Sequence, residues 1–277
     1  MKINSILLTI ILLITSIAVM GEEKPDPITQ LKWQLGPNTQ SIDGKATLKV
    51  PDKYYYLDES ETKKYSELNH NPSSRDESLF SNGATWEAYL NFDAIGYVKD
   101  DETIDPEDVL KRYQEGIKIG NEYRKEKGWS TLEVEGWFFK PQYDKEKRLL
   151  EWAFLLKDSA TQKPVVNYYT KVLGRTGAVS VALVATPENM NASIADFKDK
   201  LTGFEFSQGE KYTEFKQGDK VAEFGLAALI VGGAAAIATK KGFFAAILAF
   251  LAGAWKFVIL AIAGGFGWIK SLFRKKD

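Results

Sequence analysis

The chain has 277 residues, with 36 lysines and arginines, 37 aspartates and glutamates, one histidine and no cysteine. The lack of cysteine excludes disulfides, thiol nucleophiles and cysteine metal sites, and one histidine excludes the usual zinc ligand sets. The charges are unevenly placed, with a net charge of about −8 over residues 22–223 and about +6 over residues 224–277. An acidic domain repels phosphate backbones, so we expect no nucleic-acid partner.

The N-terminus has the pattern of a secretory signal. Lys2 precedes an apolar run over residues 6–20, and an acidic, proline-rich stretch follows it. This order predicts a signal peptide over residues 1–21. An uncleaved signal anchor is the alternative, because the run is about as long as a short spanning helix.

Residues 22–215 are predicted to form one extracytoplasmic α+β domain. Alternating or β-branched patterns predict strands over 45–51, 54–57, 85–92, 133–140, 148–156, 165–173, 178–185 and 204–206. Residues 174–177 (GRTG) indicate a hairpin, so we expect antiparallel pairing. The polar stretch 58–80 is predicted to be a loop.

Two helices are predicted within this domain. Asp105 and Pro106 form a strong start signal for a long helix over 105–127, which Gly128 ends. A shorter helix is predicted over 187–201. The expected fold class is therefore α+β, with one long and one short helix packed on an antiparallel sheet, plus C-terminal membrane helices.

The C-terminal region contains two apolar blocks. Residues 224–239 are predicted to be a transmembrane helix that ends at Lys240 and Lys241. Residues 242–273 form a second apolar helical segment, interfacial or spanning, because Lys256 at its centre is costly at mid-bilayer. Basic clusters stay in the cytoplasm, so a single span over 224–239 puts the acidic domain outside. The alternative is that the first block is a buried helix of a globular protein.

The sequence contains few residues in patterns that could carry chemistry. His70 lies in a polar loop without nucleophile motifs around it, and the acidic run 100–108 is explained better by a helix cap than by a calcium site. Glu87, Glu133, Glu135 and Glu151 lie on predicted strands and could in principle form a carboxylate pair for glycoside hydrolysis, although exposed strand faces commonly carry such charges. The sequence assigns no catalytic, cofactor-binding or metal-binding residue.

Aromatic residues are concentrated in the predicted sheet. They are interpreted as core, although a surplus on an exposed face would make a binding surface. The set consists of Trp86, Trp129, Trp137, Phe138, Phe139, Trp152, Tyr168 and Tyr169.

An ordered series of short motifs resembles a known family. The motifs are GKATLKVP at 44–51, GYVKDDE at 96–102, VEGW at 134–137, PQYD at 141–144, LEWA at 150–153, NY at 167–168, VLGR at 172–175, YTEF at 212–215 and KVA at 220–222 followed by GLAAL at 225–229. The chain resembles the bacterial membrane-anchored proteins of domain of unknown function 2167. The resemblance implies a signal, an envelope domain and an apolar tail, and no activity. The element order is also reminiscent of the PsbP-like fold, which licenses no function.

These observations favour a membrane-anchored envelope protein that acts as a binding or scaffold module rather than as an enzyme. The expected location is a bacterial membrane, the inner one by preference, with the bilayer and other envelope proteins as partners. One alternative is a carboxylate-dependent hydrolase of the envelope. Another is a stress-response partner that oligomerises through Ala245, Ala249 and Gly253, which have the four-residue spacing of helix contacts.

Overall fold

A computed structural model describes residues 26–69, 76–126, 128 and 130–231. The strands are β1 Gln34–Leu35, β2 Asn38–Ile42, β3 Ala46–Val50, β4 Tyr55–Leu57, β5 Ser78–Ser81, β6 Trp86–Asp93, β7 Leu132–Asp144, β8 Leu149–Asp158, β9 Pro164–Leu173, β10 Ala178–Ala185 and β11 Phe204–Phe206. The helices are α1 Glu59–Leu68, α2 Pro106–Glu126, α3 Met190–Lys200 and α4 Leu226–Ile230.

Two antiparallel sheets organise the domain. The large sheet has the order β1-β4-β5-β6-β10-β9-β8-β7, and the small sheet has the order β11-β3-β2. Each contiguous pair in the large sheet is antiparallel, as the hairpin at 174–177 predicted. The α+β class is confirmed.

Both faces of the large sheet are covered, because the strands supply apolar side chains to each. We call one face the α3 face: Trp86, Leu90 and Tyr168 are buried there in one cluster with Phe197 of α3 and Leu48 of the small sheet. The opposite face is the α2 face. On it, Val109, Tyr113 and Ile117 of α2 pack against β8 and β9, while Tyr65 of α1 packs against β4, β5 and β6. A central strand of this sheet is therefore buried on both sides.

Helix α1 replaces part of the loop that was predicted over residues 58–80. Asp58 caps it by accepting a hydrogen bond from the Glu61 backbone N–H at 2.9 Å. The helix buries mostly polar side chains, namely Glu61, Thr62, Tyr65 and Ser66. An apolar stripe is the main sequence signal for a helix, and α1 does not have one.

The last described segment, residues 211–231, is fastened to the domain, and we call it the strap. The backbone N–H of Tyr97 donates to the Lys220 carbonyl and the N–H of Ala222 donates to the Tyr97 carbonyl, both at 2.8 Å. Arg175 holds Asp219 through two hydrogen bonds of 2.7 Å. The folded unit thus continues beyond residue 215, where the sequence-based domain ended.

Helix α4 begins inside the predicted span 224–239. Its Leu226, Leu229 and Ile230, with the following Val231, are buried in the cluster that α2 makes with the sheet. The apolar start of that span is therefore core. The signal at 1–21, the rest of the first apolar block and the whole segment 242–273 lie outside the described residues. No helix within the described ranges combines the length and the apolar composition of a membrane span.

Candidate ligand-binding cavity

The four candidate carboxylates do not form one site, because the two buried ones lie on opposite faces of the sheet. Glu87 on β6 is in register with Val184, which pairs with Asn167, which pairs with Phe154 on β8. Phe154 is an odd number of residues from Glu151, and side chains alternate along a strand. Glu87 is therefore on the α2 face and Glu151 is on the α3 face.

Glu87 is buried, whereas its position on the polar side of an alternating strand predicted exposure. Its carboxyl group accepts hydrogen bonds from the hydroxyls of Tyr65 at 2.6 Å and Tyr89 at 3.0 Å. Burial raises the pKa of Glu87, and the two tyrosine hydrogen bonds only partly oppose this effect. The expectation of exposure is wrong because α1 covers this face.

Glu151 is also buried, and its carboxylate is part of a hydrogen-bonded group on the α3 face. It accepts from the Tyr168 hydroxyl at 2.6 Å and from the Lys198 ammonium of α3 at 2.9 and 2.8 Å. Burial, and then the negative charge of Glu151, raise the pKa of Tyr168 far above its usual value. Tyr168 is therefore a donor to Glu151 and not a base.

Glu133 and Glu135 lie on β7 with exposed side chains. Both face the ammonium of Lys157, at 2.8 and 3.9 Å, in a surface ion pair. Neither lines the cavity described below. Surface pairs of this kind contribute little free energy and imply no catalytic role.

The acidic run 100–108 is divided among three structural tasks. Asp100 accepts hydrogen bonds from Arg148 and from Tyr143, Glu102 accepts from the Ala227 N–H at 3.1 Å, and Asp105 caps α2. Burial opposes ionisation of Asp100, but hydrogen bonds from Tyr143 and the attraction of Arg148 outweigh it and lower its pKa. Across residues 26–69, 76–126 and 130–231, no three potential ligand side chains lie together as a metal site would require. His70 lies outside the described residues.

The aromatic side chains are largely core. Trp86, Trp152, Tyr168 and Tyr169 are buried, and Trp137, Phe138 and Phe139 pack against the core clusters. Trp129 lies outside the described residues. The aromatic content thus reflects a sheet that is covered on both faces.

A cavity of about 390 Å³ opens where the α3 face meets α3 and the small sheet, and we call it the β8–β9 cavity. Its apolar walls are Leu149, Val172, Leu201 and Phe204. Its polar lining is Lys147, Lys198 and Thr202. No carboxylate lines this cavity, although Glu151 lies beneath it as the partner of Lys198.

A groove of about 590 Å³ adjoins the cavity and shares Lys147, Val172 and Phe204 with it. The groove adds Lys145, Arg148 and Lys211 as cations and Glu146 and Glu205 as anions. The start of the strap, Lys211–Thr213, forms one of its walls. The combined surface has more positive than negative side chains, in a domain whose net charge is negative.

This cavity could not be predicted from the sequence. Its lysines are separated by about fifty residues, and its apolar walls come from β8, β9, the end of α3 and β11. Only the fold brings these elements together. Within a single element, each residue has the pattern of ordinary core or of solvated surface.

The solution structure of the cyanobacterial PsbP protein of Synechocystis sp. PCC 6803 matches with a TM-score of 0.34 and 9% identity. That match covers 68% of this chain and 99% of the other. No match was found among curated proteins. The model of the family described as "Protein of unknown function (DUF2167)" matches residues 34–264, which is most of the sequence. The match over residues 34–264 therefore identifies the chain as a member of the DUF2167 family.

Proposed function

We propose that this protein is a membrane-tethered binding module of the bacterial envelope, with its domain outside the cytoplasm. The observation that carries the proposal is the strap, which runs from the sheet directly into the apolar C-terminal sequence. Four sets of contacts hold it on the domain. They are the backbone hydrogen bonds to Tyr97, the Arg175–Asp219 pair, the hydrogen bond that the Ala227 N–H donates to Glu102, and the buried side chains of α4. A tail so joined would keep the domain close to the membrane.

The packing of α4 changes which apolar block is the better candidate for the tether. With residues 226–231 packed on the domain, only residues 232–239 of the first block are left before Lys240 and Lys241. Eight residues reach about 12 Å as a helix, whereas the hydrocarbon core is ~30 Å thick. We therefore assign the tether to residues 242–269.

The charges fit this assignment. A span over residues 242–269 that begins outside ends with Arg274, Lys275 and Lys276 in the cytoplasm, as the positive-inside rule requires. Lys256 then lies near the bilayer centre at a cost of ~3 kcal/mol, which the rest of the apolar block offsets. The predicted signal over residues 1–21 agrees with a domain that is exported.

A binding role fits the domain better than hydrolysis does. The two buried candidate carboxylates, Glu87 and Glu151, lie on opposite faces of the sheet, so they cannot flank one glycosidic bond. The β8–β9 cavity is partly open, and its mostly apolar walls with a few polar groups have the features of a small-molecule site.

Membrane fractionation tests the proposal. The full chain should stay in the membrane pellet after carbonate washing and dissolve only in detergent, and protease added to intact spheroplasts should digest the domain. A chain that ends at residue 231 is the matched control and should be released into the aqueous fraction. Recovery of the full chain without detergent, or protection of the domain in intact spheroplasts, would refute the proposal.

A further inference from the structure

We propose that the β8–β9 cavity binds an anionic amphiphile, with its acyl chain against the apolar walls and its carboxylate or phosphate head between Lys147 and Lys198. The inference rests on the proposed function, because a domain tethered to a membrane lies next to lipids, which are anionic amphiphiles or release them. It goes further by naming the chemical class of the ligand and the residues that recognise it.

The walls of the cavity suit an acyl chain. Leu149 and Val172 are buried, and Leu201 and Phe204 are half-buried at the edge of the α3-face core. A volume of about 390 Å³ falls within the range of ligand pockets, ~300–1,000 Å³. Walls without hydrogen-bonding groups favour hydrocarbon over a polar body, because a polar body would lose its bonds to water.

The two lysines suit an anionic head. Lys198 directs two hydrogen bonds to Glu151, and an ammonium group has three N–H donors. Among the described residues only Glu151 accepts from this ammonium, so one N–H donor is left for a ligand. Glu151 also holds the ammonium in place. Lys147 is mostly exposed, and its partner Asp144 lies at 3.3 Å, so its ammonium can turn toward the cavity.

The adjoining groove gives a larger head group room and the correct charge. Lys145 and Lys211 line it, and the guanidinium of Arg148 lies 4.7 Å from the Tyr212 ring centre. A cluster of cationic side chains raises the local concentration of anions even on a domain of net negative charge. A phosphate that extends from the cavity would meet this surface.

Photo-cross-linking tests the inference on the full chain in lipid nanodiscs. One arm uses a medium-chain fatty acid with a terminal diazirine, and a second uses phosphatidylglycerol with the same group on one acyl chain. Mass spectrometry then maps the labelled peptides. We expect the peptides that contain Leu149, Val172 or Phe204 to be labelled, by the fatty acid if the ligand is free and by the phospholipid if it stays in the bilayer.

Four comparisons establish specificity. The methyl ester of the fatty acid and the Lys147→Gln/Lys198→Gln variant should each reduce cavity labelling roughly tenfold, as loss of charge-assisted hydrogen bonds implies. Leu201→Trp should reduce it by filling the cavity, which keeps the test valid if the lysine variant folds poorly. Lys163→Gln is the matched control, because Lys163 is exposed beside the far end of β8, and it should change nothing.

Labelling confined to residues 232–277, or cavity labelling that is equal for acid and ester, would overturn the inference. In either case the proposed function stands if the chain still needs detergent and the domain is still digested in spheroplasts. If the chain instead fractionates without detergent, the proposed function fails whatever the labelling shows.

Discussion

Glu87 is a buried carboxyl group that accepts hydrogen bonds from two tyrosine hydroxyls, and no cation of the described residues pairs with it. Its strand alternates between apolar and polar residues, and that pattern normally means that one face is solvated. The pattern failed here because α1 covers the second face, and α1 was itself not predictable from an apolar stripe. The wrong prediction that Glu87 is exposed therefore follows from the failure to predict α1.

The first prediction concerns Glu87→Gln. Because burial raises the native pKa of Glu87, the native state binds its proton more tightly than the unfolded state, and stability falls as pH rises through that pKa. A neutral amide avoids this loss. We expect the variant to be more stable than the native protein by about 1–2 kcal/mol at pH 8, and equal to it below the usual glutamate pKa of ~4.3.

Urea unfolding of both proteins at several pH values measures this difference directly. Glu133→Gln, at an exposed position, is the control and should show no such trend. Parallel stability curves for the native protein and Glu87→Gln would contradict the prediction. Glu87→Ala should destabilise by about 1–3 kcal/mol, because it removes the acceptor of Tyr65 and Tyr89.

At the scale of elements, a helix or turn could be predicted where its sequence signal lies within a few neighbouring residues. The start of α2 was predictable from Asp105 and Pro106, and the β9–β10 hairpin from its two glycines. At Gly177 a Cβ would lie 2.0 Å from the Asp93 carbonyl oxygen, so the position needs glycine. The strap has no comparable signal, because its fastenings join residues that are far apart in the chain, such as Arg175 and Asp219.

The second prediction concerns the strap and the substitution Asp219→Asn. Hydrogen bonds from Arg175 hold the pKa of Asp219 at about 2, so the pair is intact above the usual aspartate pKa and is lost as pH falls from ~4 toward about 2. The amide removes the charge at every pH. We expect faster hydrogen exchange at the backbone amides of Tyr97 and Ala222, because these two N–H groups donate the hydrogen bonds that join the strap to Tyr97.

Hydrogen exchange read by mass spectrometry at neutral pH is the measurement, with exchange in β9 as the internal reference. Asp199→Asn is the matched control, because Asp199 pairs with Lys200 on the exposed side of α3. Unchanged exchange in the strap of Asp219→Asn would show that the ion pair does not hold it.

At the scale of the whole molecule, the third prediction concerns where the domain ends. A chain truncated after residue 215 lacks Asp219, which is the partner of Arg175. It also lacks the buried side chains of Leu226, Leu229, Ile230 and Val231. Full burial of such side chains stabilises by ~1.5–3 kcal/mol each, and a domain has only ~5–15 kcal/mol in total. We expect the chain 22–215 to be largely unfolded and the chain 22–231 to fold.

Thermal unfolding followed by circular dichroism distinguishes the two truncated chains. The longer one should show a cooperative transition, and the shorter one should lack it or unfold at a much lower temperature. Equal melting temperatures would mean that α4 is dispensable. The predicted domain ended at 215 and the apolar residues from 224 onward were assigned to lipid, because apolar composition alone does not distinguish lipid from protein core.

The strap has a mechanical consequence. Residues Lys211–Thr213 are at once its first residues and a wall of the groove, and Tyr212 stacks on Tyr97 at 4.4 Å. Tension applied at the C-terminus would load α4, the backbone bonds to Tyr97 and the Arg175–Asp219 pair in turn, and would reach the groove wall only after these contacts failed. A molecule bound in the groove would therefore be shielded from movements of the tail until the strap detached.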